Sequence, residues 1–181
     1  PPAPRAMGYF GVSAGAAFPL QNTSDVYGVG PHITATLGVN APTGILGLRV
    51  DGTFSTLYGK NIVGNGFSSA VFGRGGLNAP ALSVITGGLN GVIRAPFGIL
   101  ASSGFYIFGG GGVAHVRSFV QRGNNVLGGE QNLTRGMLNG GAGIDIGRRD
   151  KGALFLEGRF MQIYTPGEKI NIVPVTLGVK F

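Results

Sequence analysis

The chain contains eight segments in which apolar residues alternate with polar or small ones. Between residues 44 and 58, for example, Leu48 and Val50 alternate with Arg49 and Asp51. Successive side chains of a β-strand point to opposite faces, so this period predicts strands with one apolar face each. The eight predicted strands are residues 8–19, 28–39, 44–58, 80–95, 105–119, 135–147, 152–164 and 173–181.

The composition narrows the kind of β-protein. The predicted strands have roughly ten residues or more, and a transmembrane strand needs about 9–11. No run of about 18 apolar residues exists, so the sequence predicts no transmembrane helix. Only 12% of the residues are charged, about half the usual share of a soluble domain, and the 36 glycines disfavour helices. Three classes remain: a membrane β-barrel, a glycine-rich fibrous protein and a very apolar soluble β-fold.

The connections and the aromatic residues favour the membrane barrel. At one end the predicted connections are mostly short, at residues 40–43, 95–103 and 148–151, and at the other they are mostly longer, at 20–27, 59–79, 120–134 and 165–169. Short turns at one end and longer loops at the other are typical of outer-membrane barrels. Aromatic residues also gather at both predicted ends, among them Phe105 and Phe181 at the lower end and Phe54 and Tyr58 at the upper. Two such girdles suit two membrane–water interfaces.

The last 42 residues of the chain carry a family resemblance. The segments GGAGIDIG, GALFLEGRF and VPVTLGVKF, within residues 140–181, resemble the last three strands of the OmpA-like or OmpX-like superfamily of small outer-membrane barrels. This resemblance implies an all-β fold, an eight-stranded antiparallel up-and-down transmembrane β-barrel in the bacterial outer membrane. It also implies that the barrel-assembly machinery reads the last strand through its apolar positions, which are Val175, Leu177, Val179 and Phe181.

Two further expectations concern the ends of the chain. The last strand should pair with the first, because an open sheet edge cannot exist in lipid. Residues 1–7 are interpreted as a Pro-rich leader and residues 8–181 as the barrel.

Charged residues at the polar positions of the strands predict a plugged lumen. Arg49 and Asp51 lie five and seven residues into their segment, and Glu157 and Arg159 lie equally far into theirs. These two segments face each other in an eight-stranded barrel, whose lumen is just wide enough for side chains to fill. We therefore expect Arg49 to pair with Glu157 and Asp51 with Arg159, with Asp145 nearby.

The full predicted lumen set is electrically neutral, as burial favours. It consists of Arg49, Arg117, Arg159, Asp51, Asp145 and Glu157. A polar plug that substitutes for a hydrophobic core is favoured over an ion or proton path through the same residues.

The sequence offers little for catalysis, metals or nucleic acid. A set of His32, Ser24 and Asp25 at the upper rim is conceivable, whereas His115 and Ser118 should point to opposite faces of one strand. Two histidines and scattered carboxylates define no metal site. No phosphate-binding loop is present, so we expect no cofactor. The net charge is +7 but the basic residues are scattered, so we expect no nucleic-acid partner.

The predicted loop 59–79 is too apolar to be freely solvated. Its apolar residues are Ile62, Val63, Phe67, Val71 and Phe72. They either fold over the barrel mouth or dock on another envelope protein.

The combined expectation is a non-enzymatic outer-membrane barrel that acts as a structural or adhesive protein, or as the anchor subunit of a larger envelope assembly. Outer-membrane lipid, lipopolysaccharide and the assembly machinery are the expected partners. The alternatives are a lipid-modifying enzyme with His32 at its site, a small-solute pore and a soluble lipocalin-type barrel.

Overall fold

The structure is a computed structural model that describes residues 7–59, 81–96, 103–118, 131–148, 152–165 and 169–181. Its elements are β1 (Met7–Leu20), α1 (Asn22–Val26), β2 (Tyr27–Gly28), β3 (Gly30–Asn40), β4 (Leu46–Gly59), β5 (Ala81–Pro96), β6 (Gly104–Ser118), β7 (Gln131–Arg148), β8 (Gly152–Tyr164) and β9 (Lys169–Lys180). Among these residues no helix is long and apolar enough to cross a membrane.

Eight long strands form one closed antiparallel barrel. Each long strand pairs with the next along the chain, from β1 with β3 through to β8 with β9. The last strand closes the barrel against the first, with Gly11 opposite Lys180 and Leu20 opposite Asn171. The predicted eight-stranded up-and-down barrel and its closure by the final strand are confirmed. The two-residue β2 adds a short pairing to β4, and α1 lies in the connection after β1, where no helix was predicted.

The outer surface of the barrel is an aliphatic belt. Large apolar side chains on it include Ile33, Leu37, Val39, Leu48, Val50, Leu89, Ile93, Ile107, Val113, Leu138, Leu154 and Leu156. The apolar positions of the last strand belong to this belt, since the exposed fraction is 60% for Leu177 and 66% for Phe181. Transfer of these side chains from water to apolar surroundings is favourable, and a lipid bilayer provides such surroundings.

The lumen is filled in layers. We call the end where residues 41–45 join β3 to β4 the lower end, and the opposite one the upper end. The upper layer is apolar and consists of Ala17, Leu57, Leu82, Val84, Ala114, Val116, Met137, Met161, Ile163 and Ile172. Below it lie buried polar and charged side chains, together with a small cluster of Val92, Tyr106 and Phe108.

Strand β6 has the reverse orientation to the predicted one. Its aromatic residues Tyr106 and Phe108 are buried in the lumen, while Arg117 is exposed on the outer surface. The placement of Arg117 in the lumen was therefore wrong. The physical reason is that Tyr106 and Phe108 pack against lumenal cations, so the apolar face of this strand is its inner face.

Candidate functional site

Two arginines and two carboxylates meet across the barrel axis and form the central ion network, defined as Arg49, Asp51, Glu157 and Arg159. The Arg49 guanidinium donates to both carboxylate oxygens of Glu157, at 2.7 and 3.1 Å. Arg159 Nη2 lies 3.2 Å from Asp51 Oδ2 and 2.9 Å from Glu157 Oε1. Arg49 Nε also lies 3.0 Å from Asp51 Oδ2. The structure thus brings together both cross-lumen pairs that the spacing predicts.

Neutral side chains surround this network and donate further hydrogen bonds to its carboxylates. Asp51 accepts hydrogen bonds of 2.6 Å each from Thr36 Oγ1 and Asn90 Nδ2. The Tyr106 hydroxyl donates to Glu157 Oε2 at 2.9 Å. These donors matter because a buried carboxylate is stable only when its lone pairs are satisfied.

Aromatic rings lie against the arginines of the network. The guanidinium carbon of Arg49 is 3.7 Å from the centre of the Phe108 ring, and that of Arg159 is 5.0 Å from it. A cation over an aromatic face is stabilised by the ring quadrupole, more strongly where water is excluded. Phe108 therefore contributes to stabilising two buried cations in the lumen.

A second charged group lies nearer the lower end. Asp145 accepts hydrogen bonds from Arg94 and from Lys180 Nζ, the latter at 2.6 Å. The Lys180 ammonium lies about 5 Å from the centres of three rings, those of Tyr9, Tyr106 and Phe155. Asp145 was expected beside the central network, but its direct ion pairs are with Arg94 and Lys180.

The sequence analysis did not place four of these residues in the lumen, namely Arg94, Lys180, Tyr9 and Tyr106. They lie near a predicted rim, and that position was given more weight than the alternation of inward and outward residues along the strand. The phase was sufficient to find two of them. Arg94 is in phase with the inward Asn90, and Lys180 is in phase with the inward Thr176.

The residues considered for catalysis are not brought together. His32 has an exposed fraction of 1% and lies inside the lumen, where its ring nitrogens are 2.6 Å from Ser55 Oγ and 2.9 Å from Thr34 Oγ1. Ser24 instead donates to the main-chain oxygen of Gln21 from the short α1 helix. Asp25 is exposed on the same helix.

The outer surface near the upper end carries a polar row above the aliphatic belt. Thr56, Ser83 and Arg117 are successive partners across β4, β5 and β6. Just below, His115 Nδ1 lies 3.0 Å from Thr134 Oγ1, and Arg117 Nε donates to His115 Nε2 at 3.3 Å. A cationic side chain therefore lies where the belt ends.

The predicted docking residues Ile62, Val63, Phe67, Val71 and Phe72 lie outside the described residues. Within the described ranges, no three His, Asp or Glu side chains are placed to hold a metal ion.

The protein has the closed eight-stranded antiparallel barrel fold that small outer-membrane proteins also have, and the resemblance to that superfamily is confirmed at the level of the fold. Neisserial surface protein A aligns with a TM-score of 0.62 and 12% identity, over 97% of each chain. A major outer membrane protein of Thermus thermophilus aligns with a TM-score of 0.62 and 14% identity, over 96% of this chain and 98% of that one. Ail, the attachment invasion locus protein of Yersinia pestis, aligns with a TM-score of 0.50 and 13% identity, over 96% and 99%. No protein-family model and no curated protein sequence matches the chain.

Proposed function

We propose that the protein is a non-enzymatic barrel of the bacterial outer membrane with a closed lumen, and that it acts as a structural or adhesive protein or as an anchor for a larger envelope assembly. The observation that carries this proposal is the filled interior. An apolar layer closes the upper half of the lumen, and the central ion network crosses the axis below it.

The filled lumen favours this function over a pore. Hydrated ions would have to pass both the apolar layer and the ion pairs of Arg49 with Glu157 and Asp51 with Arg159. Opening such a path would leave buried charges without partners, which costs several kcal/mol per ion.

The enclosure of His32 favours this function over a lipid-modifying enzyme. Its ring and the Ser55 hydroxyl are within hydrogen-bonding distance, but both side chains are 1% exposed. A lipid substrate bound in the outer leaflet would have no route to this pair, and a catalytic base must reach the proton it abstracts.

Single-channel recording in planar bilayers tests the closed lumen. The purified, refolded protein is expected to give no steady open channels. A variant that removes one charge of the network, Glu157→Gln, serves as a comparison and should give more frequent transient openings. Steady channels of uniform conductance from the unchanged protein would replace the structural role with a pore.

Mild detergent extraction from the native membrane, followed by native size analysis, tests the anchor role. A particle far larger than a single 18.5 kDa barrel in its micelle is expected for an anchor subunit. Docking through loop 59–79 stays a prediction. The double variant Phe67→Ser with Phe72→Ser tests it, and Tyr58→Ser, at an exposed aromatic residue, is the matched control. A lone barrel in all three preparations would remove the assembly role and leave the structural or adhesive one.

Lipopolysaccharide remains the proposed lipid partner, and the exposed position of Arg117 supports that proposal. Its cationic side chain lies outside the barrel at the upper edge of the belt, where lipid phosphate groups would lie in the outer leaflet. Arg117→Gln should weaken retention of lipid A bearing phosphates, compared with Lys169→Gln, another exposed cation of the upper end. Equal retention by both variants would argue against this contact.

A further inference from the structure

Among the side chains that the structure describes at the lower end of the lumen, positive charges outnumber carboxylates. The central ion network is balanced, since it has two arginines and two carboxylates. Below it, Arg94 and Lys180 share the single carboxylate of Asp145. Both cations are largely buried, with exposed side-chain fractions of 11% and 12%. This lower group therefore has a surplus charge of +1 in a confined space, and uncompensated buried charge is strongly unfavourable.

Hydrogen-bonding capacity is also left over at the same place. Arg94 uses Nη1 for Asp145, whereas its Nε and Nη2 are buried and have no hydrogen-bond partner. The buried hydroxyl of Tyr9 has none either. An arginine fork only donates, and a phenol can donate its hydroxyl proton, so both can bind an acceptor. Buried donors without partners are rare in proteins and indicate a bound water or ion.

A cavity adjoins these groups. It has a volume of about 70 Å³ and is lined by Tyr9, Asn40, Arg94, Asp145 and Lys180, with Met7, Gly8, Ala153 and Phe181 at its lower side. A single water needs only about 10–15 Å³ by this measure. The space therefore accommodates an ion larger than one water.

We propose that this lower cavity binds a small monovalent anion of the size of chloride or formate, held by Arg94, Lys180 and the Tyr9 hydroxyl. One negative charge cancels the surplus of the lower group. The free donors of Arg94 and Tyr9 gain an acceptor, and charge-assisted hydrogen bonds of this kind are the strong ones. Water alone would satisfy the donors but would leave the charge uncompensated. The site lies at the end with the short 41–45 turn, which in outer-membrane barrels faces the periplasm, so its ligand would come from that side.

The test is urea unfolding of the protein refolded in lipid vesicles, at constant ionic strength, with gluconate replaced stepwise by chloride. Gluconate is too large for the cavity and serves as the reference anion. Because the anion binds only the folded barrel, the unfolding equilibrium constant should fall about tenfold for each tenfold rise in chloride above its dissociation constant. The control variant is Lys169→Gln, which removes an exposed cation at the upper end and should keep the full chloride response.

Three variants should change the stabilisation by chloride in different ways. Lys180→Gln removes the surplus charge and should abolish the chloride response. Tyr9→Phe removes one hydroxyl and leaves both cations in place, so it should weaken the response while the barrel still folds. Asp145→Asn removes the competing carboxylate and should increase chloride affinity. The proposal would be overturned if chloride did not change the stability of the parent protein. It would also be overturned if the parent protein, Tyr9→Phe and Lys180→Gln all responded equally to chloride. Bromide should further give an anomalous diffraction peak beside Arg94 in a crystal, and an empty cavity at saturating bromide would count against the site.

Discussion

Arg49 on β4 and Glu157 on β8 are joined across the barrel axis by two hydrogen bonds, of 2.7 and 3.1 Å, although 108 residues separate them in the chain. The pair has the two-pronged geometry that favours arginine over lysine. Since the main chain of each long strand pairs only with its two neighbours, this bond and the Arg159–Asp51 bond connect opposite walls directly. The network thus substitutes for the shared hydrophobic core of a soluble domain in the middle of the lumen.

Removing one charge of this network should destabilise the barrel strongly. In Glu157→Gln the two buried arginines of the network are left with the single carboxylate of Asp51, and breaking a buried pair in this way costs about 3–5 kcal/mol. The free energy of unfolding in urea, measured on protein refolded in lipid vesicles, gives this difference. Asp25→Asn is the control because Asp25 is exposed on α1, and a surface change of that kind should stay within about 0.5 kcal/mol.

Removing both members of the pair should be milder than removing one. The double variant Arg49→Met with Glu157→Leu removes one cation and one carboxylate together, and Arg159 remains paired with Asp51. Replacing a buried ion pair by apolar residues is often neutral for stability. The four proteins of this double-mutant cycle should give a coupling energy of about 2 kcal/mol or more between the two sites. Additive effects of the two single changes would show that the residues are adjacent without being coupled.

Two neighbouring glycines should respond oppositely to alanine. A Cβ at Gly112 on β6 would lie 2.0 Å from the carbonyl oxygen of Gly87 and 2.6 Å from the Cα of Gly88, both on β5. These contacts are with main chain that cannot rotate away, so Gly112→Ala should destabilise by about 1–3 kcal/mol or more. A Cβ at Gly87 would meet nothing within 4 Å. Gly87→Ala should therefore be neutral or stabilise by up to about 1 kcal/mol, since it restricts the unfolded chain. Similar losses in both variants would contradict the close packing of β5 on β6 in this register.

The alternation in the sequence predicted the barrel well because the two faces of each strand meet different surroundings, the outside of the barrel and the filled lumen. In the middle of β4 and β8 the outward residues, such as Val50 and Leu156, are aliphatic and the inward ones, such as Asp51 and Glu157, are charged. Alternation there also identified which face was inner. On β6 it did not, because Gly109–Gly112 carries no phase information and the inward Tyr106 and Phe108 are apolar. Their inward orientation depends on cations that other strands contribute, Arg49 on β4 and Lys180 on β9. A contact between distant strands leaves no periodic trace within the segment itself. Arg94 and Lys180 were missed for a different reason, because their place near the predicted rim outweighed an alternation that puts both on the inner face.

A charge placed on the belt should be tolerated only near its edge. Leu89 lies in the middle of β5 with its side chain 57% exposed on the outer surface. Leu89→Arg should cost about 2–4 kcal/mol if the belt is immersed in lipid, and Thr56→Arg at the upper polar row about 0–1 kcal/mol. Unfolding of both variants from vesicles measures the difference. In a soluble barrel both changes would be nearly neutral, so equal and small effects would argue against the membrane setting.

The last residue should matter for assembly in cells and little for the stability of the finished barrel. The Phe181 side chain is 66% exposed on the outer surface, while its main chain exchanges hydrogen bonds of 2.8 and 3.0 Å with Phe10. Phe181→Ala keeps those main-chain bonds, so refolding of the purified protein into vesicles should proceed to the same yield. If the assembly machinery reads this residue, the amount of folded barrel in the outer membrane should fall severalfold in cells. Phe105→Ala is the matched control, because Phe105 is another outward aromatic near the lower end, 44% exposed, on a strand away from the terminus. Equal losses for the two variants would assign both to the aromatic girdle, and the assembly signal would then have to reside in Val175, Leu177 and Val179.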